Sequence, residues 1–373
     1  MIKNKLSNKN LEIFCGTGGV GKTTLATSRA LFLGSQGQKV LLITIDPAKR
    51  LKQILNINDK NAGKIEEISS SYFEHFNEQN FTISALLMSP KETLKKVIKL
   101  DKLENNVLKI LTRPHGGMNE ILSLVEVQLR IKEGLFDTII LDTPPGKHFI
   151  DFLQSSRKIS DFFDSSFVEI FKFLGKPILS SSEASQRPSK KLLSKIISTG
   201  IKKLLKYLDK VTGEKFVRDF VEAVSILYQN KASFLDALNL EKKLRKSEFS
   251  NWFLITSVEQ SKLREAAELH SYTENFHKDN FYLIINKSLE NYLKQWDIPP
   301  ESETLSSDTR GRLISLKSAM IAKEEKIKTF AKSHFGQFIS FPEIIDLNPG
   351  KHVGELAKEW PKTYPFSKNK SGE

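Results

Sequence analysis

The sequence predicts a doubly wound α/β fold: a mostly parallel sheet covered by helices on both faces, with a helical subdomain inserted. Two observations carry that expectation. Short, nearly continuous apolar runs alternate with longer helical stretches, as in strands buried on both faces. Residues 143–251 contain no strand-like run, far too long a stretch for one crossover helix.

The expected strands are Leu11–Cys15, Lys39–Ile45, Thr138–Asp142, Trp252–Ser257, Phe281–Asn286 and Gln337–Phe341. Helical segments between them imply right-handed crossovers. Residues 1–150 and 250–360 are expected to form the sheet domain and 151–249 the helical subdomain. Polar loops are expected at Ser180–Pro188 and Pro299–Asp308, and a disordered tail at 361–373. No apolar run is long enough to cross a bilayer. The polar, basic segment Met1–Asn10 does not resemble a secretory signal. The lone cysteine, Cys15, excludes an intrachain disulfide and a cysteine-based zinc site and suits a reducing cytoplasm. The net charge of +13 favours acidic partners.

Directly after the first expected strand comes Gly16-Thr17-Gly18-Gly19-Val20-Gly21-Lys22-Thr23-Thr24, and Leu25–Leu33 continues as a helix. This matches G-x-x-x-x-G-K-[ST] in its strand–loop–helix setting. The glycines let backbone N–H groups turn toward phosphate oxygens, and the helix N-terminus adds partial positive charge. Lys22 is expected at the β- and γ-phosphates of ATP, the Thr23 hydroxyl on Mg²⁺ and Thr24 at the α-phosphate. Gly-Lys-Thr closes the loop, which separates it from a dinucleotide fingerprint. Two other strands end in acids, at Asp46-Pro47-Ala48 and at Asp142-Thr143-Pro144-Pro145-Gly146. Ligands bind outside the carboxyl ends of parallel strands, where an aspartate can hold a Mg²⁺-bound water. Asp142 is the stronger metal candidate and Asp46 the second.

GTGGVGKTT, DPAKRL and DTPPGKHFIDFL together resemble the ATPases that drive arsenite pumps and deliver tail-anchored membrane proteins. The likeness extends to WFLITSVEQSKLRE, to Asn286, where the family reads adenine, and to Phe341-Pro342-Glu343, the loop covering the base. The resemblance implies a nucleotide-gated homodimer with a helical subdomain that opens and closes, and Gly146 as the hinge sensing the γ-phosphate. It also exposes departures. The family's first loop lysine, which acts across the dimer, is Thr17 here. The water-activating aspartate aligns with Gln53, which can orient water but not act as a base. Lys49 replaces the first-switch histidine, and Lys49 or Arg50 is a candidate for the missing charge. The cysteines that bind zinc or arsenite are absent. The resemblance thus implies Lys22, Gln53 and Asp46 as catalytic residues, Thr23 and Asp142 at the metal, and slow hydrolysis.

From Ser189 through Tyr207 to Lys210, Leu192, Leu193, Ile196, Ile197, Ile201, Leu204, Leu205 and Leu208 form one helical stripe among lysines. That stripe fits packing on the ATPase core, a groove for an apolar client helix, or contact with anionic lipid. Only four methionines occur in the chain, unlike Met-rich client grooves. The expected protein is a cytoplasmic ATPase, peripheral to the membrane, serving a transporter or a membrane-protein client. A nucleic-acid partner is not expected. The rival readings are a nucleotide switch that hydrolyses little and a membrane- or DNA-positioning ATPase.

Overall fold

The computed structural model describes residues 9–45, 54, 55, 57, 59–73, 80–98, 112, 118–154, 160, 226–244, 246, 248–274, 280–300, 306–336, 338–346 and 348–363. Two compact units divide the chain. Met1–Met88, Arg130–Ile150 and Lys242–Glu373 form the first; Ser89–Leu129 and Asp151–Glu241 form the second.

The first unit holds an eight-stranded sheet. In chain order its strands are β1 (Leu11–Gly16), β2 (Val40–Thr44), β3 (Ile65–Ser69), β4 (Thr82–Leu87), β5 (Thr138–Asp142), β6 (Ser250–Ser257), β7 (Phe281–Ser288) and β8 (Phe338–Pro342). Their spatial order is β3-β4-β2-β5-β1-β6-β7-β8. Every pairing is parallel except β3–β4. The connection from β1 to β2 passes β5 toward one edge, and that from β5 to β6 passes β1 toward the other. The connections therefore diverge at β1 and β5, the kind of switch point where open α/β sheets open a crevice. The sequence reading missed β3 and β4, which extend the sheet beyond β2.

The central strands are apolar because both faces are covered. β1, β2, β5 and β6 are buried along their whole length. On one face α1 (Lys22–Ser35) packs with the C-terminal helix running from Pro349 to Thr363. Leu25, Ala26 and Leu31 of α1 meet Val353, Leu356 and Trp360 over Phe14, Phe253 and Phe341. Trp360 is fully buried, and its indole N–H donates to Ser28 Oγ at 3.0 Å. Pro361–Thr363, read from the sequence as part of the tail, are the end of this last helix.

A buried acid interrupts the apolar pattern of β1. Glu12 and Arg29 of α1 are both fully buried and form a bidentate pair, Nε to Oε2 at 2.8 Å and Nη2 to Oε1 at 2.7 Å. The Asn251 amide donates to Glu12 Oε1 at 3.3 Å. The guanidinium lies 4.9 Å from the Trp360 ring centroid. This pair ties the strand entering the glycine loop to the helix leaving it.

In the second unit, α2 (Pro90–Ile98) is joined to Glu126, on α3 (Met118–Glu133), by the Thr93 hydroxyl at 2.5 Å and by Lys96 at 3.0 Å. Later helices are α4 (Lys147–Leu153), α5 (Lys231–Leu244), α6 (Gln260–Thr273), α7 (Glu290–Gln295), α8 (Ser307–Phe335) and α9, the C-terminal helix Pro349–Thr363. The expected loop at Pro299–Asp308 ends at Ser306, whose hydroxyl caps α8 by accepting from Thr309 N at 3.3 Å. The loop Ser180–Pro188, the lysine-rich stripe at 189–210 and residues 364–373 lie outside the described residues.

Candidate functional site

β1 delivers the chain into the loop between the carboxyl ends of β5 and β6. Gly16 is the last β1 residue and pairs with Ile255. Its φ of +148° suits glycine, and a Cβ there would run into the Ile255 carbonyl oxygen. Gly21, at φ +90°, is the N-cap of α1, and a Cβ there would strike the Asn286 amide. Among the described residues no side chain caps this helix, and its first turn holds no acid. The N–H groups of that turn and its positive dipole end are thus arranged for an anion.

The loop's side chains take distinct positions. Lys22 is 8% exposed, and its Nζ donates to Thr17 O at 2.7 Å, folding over its own loop. Thr17 is buried, whereas Gly18 and Gly19 are exposed. The Thr23 hydroxyl donates to Asp142 Oδ2 at 2.8 Å. The Thr44 hydroxyl at the end of β2 reaches the same oxygen at 3.4 Å, a contact the sequence reading missed. Asp142, 3% exposed, ends β5 opposite Phe14 of β1. The two motifs, far apart in sequence, therefore meet at one carboxylate.

The segment after Asp142 is tied to β1. Thr143 donates to Phe14 O through both its N–H, at 3.2 Å, and its hydroxyl, at 2.9 Å. Gly146 N donates to Gly16 O at 3.1 Å. Asn286, near the end of β7, donates from its amide to Val20 O at 2.9 Å, so it braces the loop backbone from the side. Pro342 lies one strand farther out, paired with Ser288. Asp46, Lys49, Arg50 and Gln53 lie outside the described residues.

Three buried hydroxyls in this region, Thr17 Oγ1, Thr24 Oγ1 and Ser257 Oγ, have no hydrogen-bond partner among the described residues. An unsatisfied buried hydroxyl costs about 1–3 kcal/mol. Thr24 sits in the first turn of α1, beside the uncapped N-terminus, where a phosphate oxygen would satisfy it. Ser257, opposite Asn286 in the β6–β7 register, was not singled out from the sequence. A hydroxyl at the end of a fully buried strand was the available signal. The uncapped helix, the two glycine positions and the orphaned Thr24 hydroxyl all fit a triphosphate. The oxygens of Thr23 and Asp142 are of the hard type that Mg²⁺ prefers. Beneath the loop, burial pushes the Cys15 thiol up to about 12 against the opposing field of Lys22. Its S–H points to Phe253 O at 3.5 Å, so Cys15 is a core group and not a nucleophile.

A glycine loop between a central parallel strand and a helix, with its threonine on a strand-end aspartate, defines the P-loop nucleotide-binding class. Residues 10–298 match the family described as Anion-transporting ATPase, and the chain belongs to that family. A protein of Aquifex aeolicus (strain VF5) named "Putative arsenical pump-driving ATPase 2" is 28% identical over 151 residues, covering 40% of this chain and 50% of that protein. An "ATPase GET3" of Candida glabrata is 32% identical over 193 residues, covering 46% of this chain and 51% of the relative. Another, from Phaeosphaeria nodorum, is 32% identical over 143 residues, with 37% and 43% covered. The chain spans about half the length of the curated relatives it matches. Among the described residues no helix is long and apolar enough to cross a membrane.

Proposed function

We propose that this chain is a Mg²⁺-dependent ATPase whose nucleotide state drives a conformational change in the helical region 151–249 of a homodimer. The observation that carries the proposal is the Thr23–Asp142 hydrogen bond at 2.8 Å, which joins the loop to the second acidic strand end. Lys22 and the backbone amides of residues 18–24 hold the triphosphate, and Thr24 takes the α-phosphate. Thr23 and Asp142 hold Mg²⁺, which when bound supplies positive charge against the triphosphate oxygens. Asp46 completes the metal surroundings and Gln53 orients the attacking water. Asn286 and Pro342 border the adenine. Gly146, bonded to Gly16, is the hinge through which the γ-phosphate is sensed.

The proposed setting is the cytoplasm, at the periphery of a membrane, with a transporter or a membrane-protein client as partner and an anionic membrane surface within reach of the basic chain. The relatives' names, an arsenical pump-driving ATPase and ATPase GET3, support that class of role.

One observation favours a second reading, a switch that hydrolyses little. Thr17 has an uncharged side chain and is 3% exposed, so this position supplies no cation to a partner's phosphates. Cations supplied in this way are worth roughly 10³–10⁵ in rate elsewhere. Steady-state phosphate release, with Lys22→Ala as control, distinguishes the readings. Release that is slow but abolished by Lys22→Ala supports the ATPase. Release no faster than that of the control, with ATP still bound by the wild type, supports the switch. Failure to bind ATP overturns both.

A further inference from the structure

The face of the first unit formed by α6 and α8 is separate from the nucleotide loop and has a chemistry of its own. Between the two helices runs a groove of about 410 Å³. Its floor is apolar, from Leu263 of α6 and Ile327 and Phe330 of α8. Ala319 and Ala322, both small and exposed, leave the α8 wall low. Leu316, one turn before Ala319 on the same stripe, is 51% exposed.

The rim is cationic. Arg264, Lys323 and Lys326 line the groove, all are exposed, and none of the described lining residues is acidic. None of the three forms an ion pair among the described residues. The neighbouring acids are engaged elsewhere. Glu265 pairs with Lys262 at 3.1 Å, Glu325 reaches toward Lys328, and Glu324 accepts from Ser288 Oγ at 2.7 Å and from Leu289 N. Three like charges around an apolar floor repel one another, and an anionic occupant removes that repulsion. The wall is also firmly held. Glu324 anchors the middle of α8 to the end of β7, and Lys328 of α8 bonds Glu290 of α7 at 2.7 Å.

We propose that this groove docks an acidic amphipathic helix of a partner protein. A low wall of alanines admits a helix closely, the apolar floor takes its hydrophobic stripe, and the three cations meet carboxylates along its flanks. Sequence-readable lipid sites use clusters of about four to eight basic residues on a surface. Three cations around a recessed apolar floor fit a peptide better than a bilayer or a phosphate backbone.

The test uses the full-length protein and a fluorescent synthetic helix of about 20 residues with a leucine stripe flanked by glutamates. Its controls are the same peptide with glutamine for glutamate, a lysine-for-glutamate peptide, anionic phospholipid vesicles and duplex DNA. Anisotropy should show saturable binding of the glutamate peptide that weakens with salt. Arg264→Glu and the double variant Lys323→Glu/Lys326→Glu should each weaken it at least about tenfold. The double variant should gain affinity for the lysine peptide, which misfolding would not produce. Ala322→Trp, which fills the groove without changing charge, should also block binding, with thermal unfolding confirming the fold of each variant. The proposal fails if the glutamate peptide does not bind at about 100 μM. It also fails if the glutamine peptide binds equally well, if the variants change nothing, or if vesicles or DNA bind through the same cations in preference to the peptide.

Discussion

Replacing Glu12 by Gln removes one charge and keeps the size and shape of the side chain. At 2.7 Å the attraction between Glu12 and Arg29 is about 6 kcal/mol at an effective dielectric of ~20, offset by several kcal/mol of desolvation for each buried ion. The intact pair is therefore near neutral for stability, but Glu12→Gln removes the carboxylate that Arg29 meets at 2.7 Å in a fully buried site. The expected loss is about 3 kcal/mol, at the lower end for breaking a buried pair because Gln still accepts one bond. The Phe32 and Trp360 rings beside the guanidinium carry no countercharge. All three tryptophans, Trp252, Trp296 and Trp360, lie in the first unit, so their fluorescence in urea follows its unfolding. With a slope of about 3 kcal/mol per molar urea, the midpoint should fall by ~1 M. The double variant Glu12→Leu/Arg29→Met removes both charges and should recover most of the loss. A midpoint within about 0.2 M of wild type for Glu12→Gln, or a double variant as unstable as the sum of the single ones, would refute this reasoning.

Three further outcomes follow from the site and its surroundings. Gly21→Ala should lower stability by about 1–2 kcal/mol for the left-handed backbone alone, and the collision with Asn286 should weaken ATP binding at least tenfold, read by fluorescent-nucleotide titration. The Cys15 thiol, pushed up to about 12 by burial, should stay unreactive toward a disulfide reagent at pH 8 and react promptly once urea unfolds the chain. His270 lies between Phe281 and Phe335, and burial holds its pKa below the usual 6.5 despite Glu274. The unfolded chain then binds the proton first as pH falls. Stability should be full above about pH 6.5, decline from there down to the lower folded pKa and then level off, and His270→Gln should flatten the decline. An unchanged pH profile in that variant would assign the dependence to other groups.

The sequence shows the site where its signals are local. Gly16–Thr24 is contiguous, and Asp142 directly follows the apolar run Ile139-Ile140-Leu141, so each can be read without knowing the fold. Their meeting through Thr23 depends on β1 and β5 being neighbours, a strand order that the sequence does not display. The bracing of Val20 by Asn286 spans 266 residues and left no local trace beyond a polar residue closing an apolar run. β1, β2, β5 and β6 could be read because burial along their whole length makes them nearly continuous in apolar residues, and β7 and the edge strand β8 because aromatic and aliphatic residues still cluster in them. β3, with Glu66 and Glu67 in a half-exposed antiparallel edge strand, shows no such run. β4 begins Thr82-Ile83-Ser84, so its first half alternates and hides the apolar run that follows. Glu12 was a missed signal of another kind, since a carboxylate inside a fully buried strand requires a partner.

The most direct test of the central claim is a calorimetric titration of ATP into the wild-type protein and into Asp142→Asn, each with and without Mg²⁺. If the loop and the β5 aspartate form one nucleotide–metal site, the wild type binds ATP with Mg²⁺-enhanced affinity. Asp142→Asn then loses most of that enhancement while keeping Mg²⁺-free binding. ATP binding that is indifferent to Mg²⁺, or a full Mg²⁺ effect in Asp142→Asn, would contradict the account.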